Sequence, residues 1–267
     1  MSKEINYIEI NRKSWNNRID THLKSEFYDL DNFVKGNTSL KSIELNLLGD
    51  IRGKSILHLQ CHFGQDSISL NRLDAEVTGI DLSDKAIEKA KQLVKKTNSN
   101  ANFICCDIYD LPNHLEKQFD IVFTSYGTIN WLPNLDKWAK IVSNFLKPNG
   151  QFIFVEFHPV VWMFDDEFGK IGYNYFNSKP IVESQSGTYA DRNAKITLES
   201  VTWNHGLCEV INPLIKCGLS IMDFQEYDYS PYDCFEKTIE FEPKKYRIEH
   251  LGNKIPMVYS IVARKNN

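Results

Sequence analysis

Ser55-Ile56-Leu57-His58-Leu59-Gln60-Cys61-His62-Phe63-Gly64-Gln65-Asp66, with Thr78-Gly79-Ile80-Asp81 after it, is the stretch on which the fold turns. Its apolar start reads as a buried strand over 55–60. A tight turn and a helix beginning near Asp66 and running to Leu73 follow, and a second strand, 76–81, ends on a single carboxylate. A strand, a turn, a helix and a carboxylate about twenty residues on is the arrangement that holds a nucleoside cofactor. The turn keeps few of the glycines that usually mark it.

Outward from this stretch, short apolar runs alternate with helical periods, which favours a parallel sheet with crossover helices. Further strands are expected at 102–107, 119–125 and 151–158. Ser83 to Lys96 reads as a helix with Ala86, Ala90 and Leu93 on one stripe and Ile87 and Val94 beside it, capped by Ser83. A helix over about 134–146 turns Leu135, Trp138, Val142 and Phe145 inward, and Lys147-Pro148-Asn149-Gly150 stops it. A helix near 204–217 and strands near 220–227 and 258–263 complete the alternation. The first 50 residues read as helical, with Ile5, Ile8, Trp15 and Ile19 roughly on one face.

Two segments break the rhythm. Residues 159–203 and 228–255 are rich in Tyr, Phe, Trp, Pro and Gly, with β-like runs such as 196–202. Ordered insertions of this length are often lids or binding loops, and a structural hairpin or a dimer contact fits them equally.

With 267 residues, 42% hydrophobic and 25% charged, the chain can bury a full core. A net charge of −4 offers no basic field for a phosphate backbone, so nucleic acid is not the expected partner. No apolar run reaches the length of a membrane span and the N-terminus lacks a signal-peptide core, so a cytoplasmic protein, monomer or homodimer, is expected. The six cysteines read as reduced thiols, and His58, Cys61 and His62 lack the paired spacings of a metal site, so no metal is expected.

Ligands of doubly wound sheets lie beyond the carboxyl ends of the strands. There the chain places Gln60 to Gly64, Asp81, Cys106-Asp107-Ile108 and Ser125-Tyr126-Gly127-Thr128. Asp81 can accept both hydroxyl hydrogens of a ribose, and Asp107 an amino hydrogen of a base.

In Leu57 to Gly64, Val77 to Ser83, Phe103 to Asp107, Phe119 to Ser125 and Phe145 to Phe152, the chain resembles the class I S-adenosylmethionine-dependent methyltransferases, over about residues 50–160 and more loosely to the end. That resemblance implies a doubly wound, Rossmann-like, seven-stranded, mostly parallel sheet with helices on both faces. The methyltransferase domain is then expected at 51–267, with the helical residues 1–50 as an extension and the β-rich insertions at about 159–203 and 228–255 as a lid. The implied cofactor is S-adenosyl-L-methionine, with Asp81 and Leu82 at the ribose and Asp107 and Ile108 at the adenine. The turn of Gln60, Cys61, His62, Phe63 and Gly64, with Asp66 behind it, would contact the methionine portion, and Ser125 and Tyr126 would lie beneath the reacting end.

The first motif, His58-Leu59-Gln60-Cys61-His62-Phe63-Gly64, departs from the family: His58 stands for an acidic residue, and Gln60 and His62 for glycines. The missing glycines imply a turn of slightly different path. His58 as a neutral strand residue is preferred to His58 as a catalytic one.

For catalysis the candidates are His158, after a strand end and before Pro159, and Tyr126. Trp15, Trp131, His158, His205 and Tyr232 are candidates for contact with the acceptor. A strand end reading Ser-Tyr-Gly-Thr, unlike Asn/Asp-Pro-Pro-Tyr, points to a small-molecule acceptor methylated at oxygen, nitrogen or carbon. A cofactor-binding domain without catalysis and a nicotinamide-dependent oxidoreductase remain as alternatives.

Overall fold

The computed structural model of the chain describes residues 6–176 and 179–267, so Ile5 lies outside the described residues. In chain order its elements begin with α1 (Tyr7–His22), α2 (Leu30–Val34), α3 (Ser42–Leu48), β1 (Ser55–His58), α4 (Gln65–Arg72) and β2 (Glu76–Asp81). Then follow α5 (Asp84–Thr97), β3 (Asn102–Cys105), β4 (Phe119–Ser125), α6 (Leu135–Phe145), β5 (Leu146–Phe157), β6 (Ile181–Ser186) and β7 (Thr197–Thr202). The chain ends with α7 (Leu207–Lys216), β8 (Leu219–Tyr227), β9 (Thr238–Glu242), β10 (Lys245–Ile248) and β11 (Val258–Lys265).

Seven strands form one mostly parallel sheet in the order β3-β2-β1-β4-β5-β11-β8. Within it β1–β2, β2–β3 and β4–β5 are parallel, and β11 runs antiparallel to β5 and β8. The expected strands and crossover helices are all present. The stop at Lys147–Gly150 falls inside β5 as a bulge: the register passes from Phe119↔Leu146 to Ile121↔Gln151, and Asn149 takes a left-handed φ of 62°. Two antiparallel hairpins, β6–β7 and β9–β10, account for much of the insertions. Among the described residues no helix is long and apolar enough to cross a membrane.

The chain divides into two compact units. The first comprises Met1–Leu40, Ile51–Lys117 and Pro180–Thr202. Its strands β1 and β2 are largely buried, and α5, which buries Ala86, Ile87, Ala90 and Leu93, lies on β2 and β3, with Ser83 Oγ accepting the Ala86 N–H as the cap.

Helix α1 departs from its expected face. It buries Asn11, Ser14, Arg18, Ile19 and His22, while Ile8 stays 37% exposed. The polar side chains turn inward because they have partners there. Asn11 Nδ2 donates to the Val201 carbonyl at 2.8 Å and its Oδ1 accepts the Val201 N–H at 2.9 Å, so the amide imitates a neighbouring strand along β7.

The second unit comprises Lys41–Asp50, Gln118–Lys179 and Trp203–Asn267. Trp138 of α6 is fully buried against Phe152 and Phe154, with ring centroids 5.5 and 5.6 Å away. Burying one such side chain stabilises by about 1.5–3 kcal/mol. At the end of β5 a further cluster joins Ile43, Phe157, Val161, Phe168, Phe235, Ile248 and Met257, with Trp162, Tyr126 and Tyr229 packed on it. Much of the aromatic load of the insertions is therefore core packing. Phe176, 88% exposed, is outside it.

Candidate active site

The turn after β1 is left-handed at three alternate residues: Gln60 (φ 53°), His62 (φ 51°) and Gly64 (φ 80°). A slightly different path was expected for want of glycine, yet Gln60 and His62 take the backbone conformation that glycine favours. Such residues cost about 1–2 kcal/mol each unless their surroundings hold them. Here the surroundings do: the Cys61 N–H donates to the Ile80 carbonyl at 2.8 Å, the Gly64 N–H to the Cys61 carbonyl at 2.9 Å, and the His62 N–H to Asp81 Oδ2 at 2.8 Å.

Gly64 is retained for a different reason. A Cβ there would lie 2.5 Å from Cζ of Phe103, and one at Gly79 would lie 2.8 Å from Cys61 Sγ and from the same ring. The Phe103 ring therefore packs directly on two glycine backbones, and neither position has room for a side chain.

Asp81 ties the two halves of this region. Its Oδ2 holds the His62 amide and its Oδ1 the Ser83 amide, both at 2.8 Å. Burial pushes its carboxyl up to about 6, against the pull of those amides. Leu82, half-buried, turns its carbonyl to the Cys105 thiol at 3.7 Å. Asp107 caps a short 3₁₀ helix, Ile108–Asn113, by accepting the Tyr109 N–H at 2.7 Å, and burial raises its carboxyl above the usual range. Ile108 beside it is buried, and Asp66 sits in the first turn of α4.

His58 is buried with Nδ1 2.8 Å from Ser67 Oγ, and burial lowers its ring to about 4. It is a neutral strand residue. Trp15 comes to the same region, its ring centroid 5.2 Å from that of His62, and Phe63 packs 4.7 Å from Tyr28.

In the second unit β4 ends on Ser125, half-buried and in register with Val155, and then on Tyr126, left-handed at φ 43°. Glu156, with no exposed surface, holds the turn that follows. Its Oε1 accepts the N–H groups of Gly127 and, at 2.7 Å, Phe157. Its Oε2 accepts Thr128 N–H at 2.7 Å, Thr128 Oγ1–H at 2.9 Å and Ile129 N–H at 3.2 Å. Burial outweighs these donors and raises its carboxyl. Tyr126 donates its phenol proton to Glu44 Oε2 at 2.8 Å, while Glu44 Oε1 accepts the Lys41 N–H at 2.6 Å. The Tyr232 ring stands edge-on to Tyr126 at 5.1 Å.

The remaining candidates have structural partners. Trp131 Nε1 donates to the Gly127 carbonyl at 2.9 Å. His205 Nε2 donates to the Leu132 carbonyl at 2.7 Å, with Glu209 3.5 Å from Nδ1. His158, 3% exposed, accepts the Val160 N–H on Nδ1 at 3.2 Å and faces Glu226 Oε1 from Nε2 at 2.9 Å. Burial pushes its ring toward the neutral form against that carboxylate. The structure thus brings Tyr126 and Tyr232 together, and ties His158 and His205 to other neighbours.

Sequence reading named Glu156 only within the stretch that leads to His158, with no role of its own, and missed Glu44 and His22. Glu156 had a signal: one carboxylate inside the apolar run Phe152-Ile153-Phe154-Val155-Glu156-Phe157 must have partners. Glu44 and His22 lie in helices with no motif to mark them.

A family model described as "Methyltransferase domain" matches residues 51–200. Over 157 residues the chain is 29% identical to an uncharacterized protein of Haemophilus influenzae, covering 54% of this chain and 61% of that one. It is 31% identical over 115 residues to a ubiquinone biosynthesis O-methyltransferase of Coxiella burnetii, covering 43% of this chain and 47% of that one. The chain thus matches less than two thirds of the length of either relative. A solved S-adenosylmethionine-dependent methyltransferase of Clostridium acetobutylicum shares the fold with a TM-score of 0.58 at 16% identity, covering 96% of this chain and 99% of that one. The family match takes in more than half of the 267 residues, all of the β1 turn and both strand-end carboxylates: the chain belongs to the methyltransferase-domain family.

Proposed function

We propose that the chain is an S-adenosylmethionine-dependent methyltransferase acting on a small molecule at oxygen, nitrogen or carbon. The observation that carries this reading is the Asp81 carboxylate. It is half-buried, held by the His62 and Ser83 amides, and set at the end of β2 beside a turn left-handed at three positions. A ribose fits it, since a carboxylate oxygen with one amide still has a lone pair for a hydroxyl. Asp107, spending one oxygen on the Tyr109 amide, has the other for an adenine amino group. Membership of the methyltransferase-domain family and the likeness to a ubiquinone biosynthesis O-methyltransferase support the reaction class. The absence of a basic field supports a small acceptor.

When bound, the cofactor's sulfonium supplies an activated methyl group, so the protein's contribution is alignment and desolvation. Tyr126 is our candidate for contact with the methyl acceptor. Its phenol proton goes to Glu44, so its oxygen meets an acceptor as a hydrogen-bond acceptor. Glu156 fixes the turn that carries it, and His158 braces the end of β5.

Asp81 makes the reading testable by pH. Its folded carboxyl, raised to about 6, is ionised above that pH and accepts both hydroxyls; below it the carboxyl protonates. Affinity for S-adenosylhomocysteine is therefore expected to be level above about pH 7 and to weaken by up to about tenfold per unit below pH 6. The ligand-free protein should respond with the opposite sign. A carboxyl raised on folding adds stability below its unfolded value and loses it as pH rises through 6. Calorimetric titration between pH 5 and 8 measures the first effect; a dissociation constant indifferent to pH would remove Asp81 from the site.

A further inference from the structure

The inward polar face of α1 meets the turn after β1 through two histidines. Nδ1 of His22, which has no exposed surface, lies 2.9 Å from Nε2 of His62, and Nε2 of His22 lies 3.2 Å from Oγ1 of Thr188 in the β6–β7 hairpin. The direction of this chain follows from its far end. Thr188 Oγ1 already accepts the Ala190 N–H at 3.0 Å and the Asp191 N–H at 3.3 Å. A hydroxyl has two lone pairs and one proton, so with both lone pairs taken the proton goes to His22 Nε2.

Burial and the nearby Arg18 guanidinium keep both rings neutral, His22 lowered to about 3 and His62 far below its ordinary value. A neutral imidazole carries one proton. His22, accepting on Nε2, carries its proton on Nδ1 and gives it to His62 Nε2. His62 must then carry its own on Nδ1.

That Nδ1 is buried and has no hydrogen-bond partner among the described residues. A buried donor left unpaired destabilises the fold, and so points to a partner that arrives with a ligand. The rings of Trp15, Tyr28 and Phe63 surround His62 with centroids at 5.2, 5.5 and 4.4 Å. The Arg18 guanidinium, 7% exposed, lies 4.9 Å from the centroid of Trp15. A cation and a neutral N–H donor in one aromatic enclosure suit an anionic oxygen.

We propose that Thr188, His22 and His62 form a one-directional hydrogen-bond relay that presents His62 Nδ1–H to the carboxylate at the amino-acid end of the adenosyl cofactor. This rests on the adenosyl reading above. His62 binds the ligand; His22 and Thr188 are positioning residues, and through them the β6–β7 hairpin sets specificity for that end. The relay also gives a reason for histidine at a left-handed position that glycine would fill without strain.

The test titrates S-adenosylhomocysteine and 5′-methylthioadenosine, which lacks the amino-acid end, into wild type, His62→Asn, His22→Phe and Thr188→Val. Asparagine tolerates the left-handed backbone at 62. The expected result is an S-adenosylhomocysteine affinity about tenfold or more weaker in His62→Asn and weakened to a lesser degree in the other two, with 5′-methylthioadenosine unchanged in all. Nitrogen-15 spectra should place the His62 proton on Nδ1 in wild type and divide it between the Nδ1–H and Nε2–H neutral tautomers in Thr188→Val. Equal losses for the two ligands, unchanged S-adenosylhomocysteine affinity, or a wild-type His62 protonated on Nε2 would each overturn the relay. Failure of wild type to bind either ligand would instead overturn the adenosyl reading, and the relay's ligand with it.

Discussion

Glu156→Ala is expected to lower the unfolding free energy by about 3–5 kcal/mol, a large part of what a domain this size possesses. The side chain accepts four backbone N–H groups and one hydroxyl, and it does so inside the protein, where Thr128 and Ile129 are nearly fully buried. Removing it leaves these donors without an acceptor, and unsatisfied buried groups are where large mutational effects arise. Glu156→Gln should cost less but still about 2 kcal/mol, because its NH₂ group would face N–H donors where a carboxylate oxygen now accepts. Denaturant unfolding of the three proteins measures the series. A loss below about 1 kcal/mol for Glu156→Ala would mean that the turn after β4 is held by something else.

Gly64→Ala carries the second large effect, through two separable terms. The backbone at φ 80° costs about 1–2 kcal/mol with a Cβ, and the 2.5 Å approach to Phe103 adds an overpacking cost of about 1–3 kcal/mol. Gly218 separates them. It has a nearly identical φ of 82° with nothing within 4 Å of a built Cβ, so Gly218→Ala should show the backbone term alone. Urea midpoints for the pair should therefore differ, with Gly64→Ala the lower. Equal midpoints would mean that the Phe103 ring moves aside without cost, and that Gly64 is retained for its backbone only.

The strand-and-helix series was legible because each of its elements is stabilised locally: an apolar run for β1, a stripe and an Ser83 cap for α5, and a Trp138-centred face for α6. The conformation of Gln60 and His62 was not. Their side chains argue against left-handed φ, and the turn is held there by bonds to the distant β2, from the Cys61 amide to Ile80 and from the His62 amide to Asp81. Helix α1 was misread for the same kind of reason, since Asn11 and His22 look solvent-facing until Val201 and Thr188 are placed against them. The strands β6, β9 and β10 lack strong apolar alternation, and their pairing depends on hairpin partners. The carboxylates at strand ends were legible as residues. The Ile129 amide that Glu156 holds and the Tyr126 phenol that Glu44 holds were not, because those pairings span 27 and 82 positions.

The central claim is that Asp81 and the left-handed turn beside it hold an adenosyl cofactor. The most direct measurement is calorimetric titration of the wild-type chain with S-adenosylmethionine, S-adenosylhomocysteine and NAD, repeated on Asp81→Ala. The account predicts that both adenosyl ligands bind, that NAD does not, and that Asp81→Ala weakens the adenosyl ligands by about 1–3 kcal/mol. Tight binding of NAD with no heat from either adenosyl ligand would contradict it.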